Sequence, residues 1–148
     1  MRSFRPITVL AVLITAGLVA ACAGGPQEPY TTESGLTIQV MKGGRGQKVI
    51  KGQKVWVHYT LWLEDGTFVQ SSKQELGGSG VPYDVDNIGD GLVIDAWNEG
   101  VIGMRVGEIR KLICPPELAY GEMGNPDSTP PIPPDATLTF ELELVRIR

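Results

Sequence analysis

Few side chains in this 148-residue chain could act together as acid, base, nucleophile or metal ligand. The one histidine, His58, lies in an alternating run, and no acid stands two or four residues away on its strand face. Cys114 shares an apolar alternation with Leu112, where a buried thiol behaves as a small hydrophobe. One histidine and two cysteines cannot build a Cys/His zinc site, so no metal is expected. A GxxxxGK[ST] phosphate loop is absent, and no GxGxxG follows a strand, so no nucleotide cofactor is expected either. Nothing singles out a carboxylate pair for glycoside chemistry. A formal charge of −4 argues against a general nucleic-acid binder, which needs a basic surface to displace counterions. The chemistry left open is one that an apolar pocket can perform without titratable groups.

Cys22 has a separate chemistry available. Met1 to Pro6 carries Arg2 and Arg5 and no acid, and Ile7 to Ala21 is apolar or small throughout. That run is short for a bilayer span, which needs about 20 residues, and fits an export signal. It ends in Val19-Ala20-Ala21-Cys22, which resembles the bacterial lipobox. There the cysteine thiol forms a thioether to lipid and becomes the new N-terminus. More than one acyl chain is enough for stable anchoring. Residues 1–21 are therefore expected as a lipoprotein signal peptide and 22–34 as a flexible tether after lipidated Cys22. Residues 35–148 are expected as one domain without an internal disulfide. Ala23 is not the Asp that tends to retain lipoproteins at an inner membrane, so an outer membrane is expected in a host with two. Retained attachment through the apolar run, or ordinary cleavage nearby, are the alternatives.

Hydrophobic residues at 42% and charged residues at 20% suit a globular domain. Leu36, Ile38 and Val40 alternate with polar neighbours, which predicts a strand. Val55, Val57, Tyr59, Leu61 and Leu63 occupy one face of another, with Asp65-Gly66 as the turn into Phe68–Ser71. Glu108–Cys114 and Leu138–Val145 alternate likewise. Only Leu92 to about Gly100 suggests a helix, with Val93, Ile94 and Trp97 turned toward a sheet. The expected fold class is α+β, a curved antiparallel sheet of about five strands wrapped around one short helix. Nothing in the pattern asks for an oligomer.

Four blocks carry a family likeness: VHYTLWLEDGT (57–67) with Ser71-Ser72, GLVIDAWNEGVIGMRVGE (91–108), PPELAYG (115–121) and IPPDATLTFELEL (132–144). Together, in this order and spacing, they resemble the FKBP-type peptidyl-prolyl cis-trans isomerases. The resemblance covers nearly all of 35–148. It implies that Tyr59, Ile94, Trp97, Tyr120 and Phe140 are the catalytic group. Trp97 would be the indole floor, Ile94 would offer a backbone N–H to a substrate carbonyl, and Tyr120 a hydroxyl. Val69, Gln70, Tyr83, Val93 and Ile132 would complete the substrate site. The implied partners are proline-containing unfolded or partly folded clients. The implied activity is rotation of X–Pro bonds by desolvation. A non-catalytic binding or chaperone module on the same fold is the rival reading, and a purely structural lipoprotein a third.

Two positions depart from the family. Where it reads a Phe-Asp pair before Ser-Ser, this chain has Val69 and Gln70, with Phe68 one residue early. Neighbouring strand residues face opposite ways, so Phe68 replaces the missing ring only if a bulge shifts the register. Reduced isomerase activity and weak macrolide binding are expected. The loop 122–131 is longer than the family's short form and is expected to overhang the pocket. Six acids and no Lys or Arg lie between Gln74 and Met104, which could steer basic clients if they ring the pocket.

Overall fold

A computed structural model describes residues 25–148. The expected signal peptide, residues 1–21, and Cys22 lie outside the described residues. The strands run β1 (Tyr30–Thr31), β2 (Thr37–Lys42), β3 (Arg45–Lys48), β4 (Val55–Leu63), β5 (Phe68–Ser71), β6 (Tyr83–Val85), β7 (Arg105–Val106), β8 (Ile109–Cys114) and β9 (Leu138–Ile147). The helix α1 (Asp95–Gly100) falls between β6 and β7. The main sheet is antiparallel, ordered β1-β2-β8-β9-β4-β5, with β6 paired to β4. It gathers seven strands rather than about five. The additions, β1 and β6, are two and three residues long, too short to show an alternation. A separate ribbon pairs β3 with β7.

Alternation carries the rest. On β9, Leu138, Phe140, Leu142 and Leu144 are buried while Thr139, Glu141 and Glu143 are half-buried. On β4, Val55, Val57 and Leu61 are buried. These inward rows pack with Leu36, Ile38, Leu112 and Cys114 into one core, each fully buried aliphatic side chain contributing about 1.5–3 kcal/mol.

Six residues are too few for a free helix in water, so α1 is held by what it touches. Ala96, Trp97 and Gly100 are its buried face. A Cβ on Gly100 would come within 2.5 Å of Leu112 Cδ1, so only glycine lets the helix lie this close to β8. Its C-terminal carbonyls meet Arg110, whose guanidinium donates to Gly100 O at 2.8 Å and Ile102 O at 3.0 Å. Glu108 Oε1 lies 2.6 Å from Arg110 Nε, completing a buried ion pair. A charged arginine on the inward row of β8 is thus explained: it closes the end of the helix.

The expected tether does not extend to residue 34. Gln27 N donates to Val40 O, Tyr30–Thr31 pairs with Thr37–Ile38, and Ser34 Oγ donates to Glu99 at 2.7 Å. The segment is polar, but its backbone and hydroxyls find partners on the sheet edge and on α1.

Candidate functional site

A cavity of about 310 Å³, roughly ten times the volume of a liquid water molecule, opens between α1 and the concave face of the sheet. Its lining is Tyr59, Gln70, Tyr83, Leu92, Val93, Ile94, Trp97, Tyr120 and Phe140. None of these side chains is charged. Trp97 lies at its centre. Tyr59, Phe140 and Tyr83 stand edge-on to the indole, with ring centroids at 5.4, 5.5 and 5.8 Å. Such edge-to-face pairs favour the rings beyond their buried area. They also fix the indole plane, so the hollow keeps its shape. Trp97 is only 5% exposed, so it is core on one side and floor on the other.

The polar groups at this floor are few. Trp97 Nε1 is buried without a hydrogen-bond partner among the described residues. Ile94 caps α1 from an extended conformation, and its carbonyl accepts from the amides of Trp97 and Asn98 at 2.9 and 3.2 Å. The Ile94 N–H itself has no protein acceptor among the described residues. Tyr59 is held from behind, its backbone N–H donating to Ser72 Oγ at 2.9 Å. Desolvation first, then the neighbouring Tyr120 and Tyr83, push its hydroxyl above the usual tyrosine pKa of 10.0. It therefore stays a neutral phenol through the physiological range.

Eight of the ten residues expected at the site line this cavity; two do not. Val69 is 4% exposed and belongs to the core. The bulge considered for β5 exists: Leu61 pairs with Gln70 but Trp62 pairs with Phe68, leaving Val69 as the extra residue. It turns Val69 inward and leaves Phe68 exposed, so the ring is not recovered for the pocket wall. Ile132 is also core, at 3% exposure, bridged through its backbone to Asn125. None of residues 122–131 is in the lining, so the expected overhang is not found. Nor do the acids ring the cavity. Asp84 and Asp86 are paired with Lys54 and Asp90 with Lys51, while Glu99 accepts from Ser34.

Two participants were not foreseen. Leu92 is fully exposed at the rim, where an apolar side chain on water-facing loop had no periodic signal. Asn98 is the other. Its Oδ1 accepts from the amides of Gly89 and Gly91 at 3.0 and 2.9 Å, and its Nδ2 donates to the carbonyls of Gly91 and Val93 at 3.0 and 3.3 Å. One amide side chain thereby staples the loop that presents Leu92, Val93 and Ile94. The clue available beforehand was an asparagine one residue after the indole, on a helix that follows a glycine-bearing loop.

A larger hollow of about 410 Å³ beside Trp62 carries Lys111, Glu64 and Glu141. Size alone therefore does not select the site; the uncharged aromatic enclosure does. His58 bonds Ser72 at 3.0 Å, and Cys114 is buried with its thiol pushed up to about 12 by desolvation, so neither offers a nucleophile.

Such a site can exclude water and orient carbonyls, but it cannot transfer protons. The comparisons agree with that chemistry. A family model described as FKBP-type peptidyl-prolyl cis-trans isomerase matches residues 45–145. The FK506-binding protein 1A of Emericella nidulans is 46% identical over 114 residues, which are 76% of this chain and 98% of that one. The human peptidyl-prolyl cis-trans isomerase FKBP2 is 41% identical over 146 residues, 97% of this chain and 92% of that one. The crystal structure of FkpA from Escherichia coli superposes with a TM-score of 0.68 at 34% identity. It shares 81% of this chain, which spans about half of that protein, 51%.

Proposed function

The chain belongs to the FKBP-type peptidyl-prolyl cis-trans isomerases, and from that premise we propose which residues act, how, and where. It is an enzyme that rotates X–Pro bonds in proline-containing polypeptides. Rotation must cross a barrier of about 18–20 kcal/mol, because twisting the amide loses its resonance. Uncatalysed, it takes tens to hundreds of seconds. The planar amide is the more polar and the better hydrated form. An enclosure that strips water from it disfavours the planar form relative to the twisted one, so binding favours the transition state. Lowering the barrier by about 8 kcal/mol corresponds to on the order of 10⁶-fold.

In this reading the proline ring stands on Trp97 between Tyr59 and Phe140. The Ile94 N–H takes the carbonyl on one side of the bond and the Tyr120 hydroxyl takes the other. Tyr83, Val93 and Gln70 contact the flanking residues. The observation that carries the assignment is the uncharged cavity floored by an indole beside a backbone N–H that no other described residue uses. The test is a protease-coupled isomerisation assay on Leu-Pro and Phe-Pro peptides, with Trp97→Leu and Tyr120→Phe as controls. Turnover indistinguishable from buffer would leave the binding-module and the structural-lipoprotein readings.

The position that holds a carboxylate in the family is Gln70 here, and Val69 is withdrawn into the core. Both support reduced activity and weak macrolide binding, the latter read by calorimetry; nanomolar affinity would refute it. The location proposed is a lipid anchor on Cys22 after removal of residues 1–21. The support is the run ending Val19-Ala20-Ala21-Cys22. Mass spectrometry of the membrane-extracted chain tests it, an unmodified Cys22 or an uncleaved leader being the contrary result.

A further inference from the structure

From Lys42 to Leu63 the chain carries Lys42, Arg45, Lys48, Lys51 and Lys54, one cation every third residue, and no acid. Lys51 and Lys54 are taken by Asp90, Asp84 and Asp86. Lys42, Arg45 and Lys48 have no acidic partner among the described residues, and all three are exposed. Arg45 and Lys48 come together because β3 folds against β7, with Arg45 opposite Val106 and Lys48 opposite Arg105, while Lys42 ends β2 three residues before β3 begins. Arg105 adds a fourth cation and donates to Gly46 O, which ties the two strands together. The approach is close: a Cβ on Gly44 would come within 2.5 Å of Arg105 O. Beside the ribbon is a hollow of about 340 Å³ lined by Gly43, Gly44, Lys48, Arg105 and Arg110, where Glu108 offsets Arg110 alone. Val106 and Ile50, 42% and 59% exposed, give the same edge two apolar points.

The place of this patch decides what it meets. Gln27 also lines the hollow, held there by its bond to Val40 O. Gln27 follows Cys22 by five residues, at most about 17 Å of chain. A lipid on Cys22 therefore brings this face, not another, to the bilayer. The proline cavity is at the other end of α1: Ile94 lines it, whereas Gly103 lines the basic hollow. We infer that the β3–β7 ribbon docks on anionic phospholipid headgroups and holds the isomerase with its cavity turned to the aqueous side. The inference rests on the anchored reading above. In an otherwise acidic molecule, these unpaired cations complement a negative leaflet, each adding about fivefold to membrane affinity. A soluble acidic polypeptide would meet the same charges, but nothing would bring it to the edge where the chain leaves the fold.

The full chain is tested on vesicles of neutral phosphatidylcholine and on vesicles with roughly one-third phosphatidylglycerol. Flotation reports attachment. Labelling of Lys42 and Lys48 by a water-soluble amine reagent, read by peptide mass spectrometry against Lys111, reports docking. Labelling slowed about fivefold or more on the anionic vesicles only, and restored by high salt, is expected. Arg45→Glu should return the rate to within about twofold of the neutral vesicles without changing isomerase activity. Flotation on both vesicle types with equal labelling overturns the docking and leaves the anchor. Flotation and protection on the anionic vesicles alone overturns the anchor and keeps the docking. Protection by a soluble poly-glutamate and none by the vesicles overturns the membrane as partner.

Discussion

At the scale of single residues, the site separates groups that act from groups that merely fill. Tyr120→Phe removes one hydroxyl and no bulk. A net hydrogen bond is worth about 0.5–1.5 kcal/mol, so kcat/KM should fall by about threefold to tenfold with an unchanged melting temperature. Equal rates would take the hydroxyl out of the mechanism. Cys114 is the contrasting case. Its thiol value is raised from 9.0 to about 12 because burial disfavours the thiolate. A raised folded value stabilises the fold fully below pH 9 and progressively less as pH rises toward 12. The stability gap between the native chain and Cys114→Ala should therefore narrow by about 2 kcal/mol from pH 8 to pH 10.5, read by urea unfolding. The Cys114 peptide should also resist thiol alkylation until the chain unfolds. Tyr59, Trp97 and Phe140 were legible because each sits inside a motif and on the inward side of its element, and Tyr120 through its motif alone. Ile132 lies in a motif too and Val69 stands where the family has a wall residue, yet a motif does not say on which side of the core wall a side chain ends. For Val69, one extra residue in β5 decided it.

The elements explain why these residues stay in place. α1 is too short to hold itself, so its geometry is borrowed from Asn98 at one end and Arg110 at the other. Asn98→Ala leaves the Gly89 and Gly91 amides and two carbonyls to water. The loop bearing Ile94 should loosen, raising KM more than it lowers kcat, with amide exchange at Gly89–Ile94 accelerated. A purely structural role would lower the melting temperature and leave the KM of the folded fraction unchanged. Arg110→Met strands the buried Glu108 carboxylate, and removing one partner of a buried pair costs about 3–5 kcal/mol. The double change Glu108→Gln with Arg110→Met should recover most of that loss in thermal melting. No recovery would mean that the arginine acts through the Gly100 and Ile102 carbonyls alone. The strands were readable because period-two alternation survives wherever one face is buried, as on β4 and β9. The staples were not. They join positions seven to ten residues apart through polar groups, and periodicity is blind to such bonds.

For the molecule as a whole, a formal charge of −4 conceals an uneven surface. Arg45, Lys48 and Arg105, which form no ion pair among the described residues, gather on β3 and β7, while most acids between Gln74 and Met104 are engaged locally. Lys54 holds Asp84, whose carboxyl is drawn below its ordinary value chiefly by that hydrogen bond. The run of acids reads as a steering field only while the lysines that answer it, 30 to 39 residues earlier, are left out. Folding brings Lys51 and Lys54 to them. Since the cavity lining is uncharged, electrostatics has little hold on encounter or on the chemical step. Raising salt to about 1 M, where the screening length is about 3 Å, should leave kcat/KM within about twofold for Leu-Pro peptides flanked by lysine or by glutamate. A tenfold loss confined to the lysine peptide would show that Glu75 and Asp95, which form no ion pair among the described residues, attract basic clients. Constancy would mean that client choice lies in the apolar rim, where Leu92 stands in water beside the opening. Leu92→Ser would then change the preference for the residue before proline while leaving its salt dependence flat.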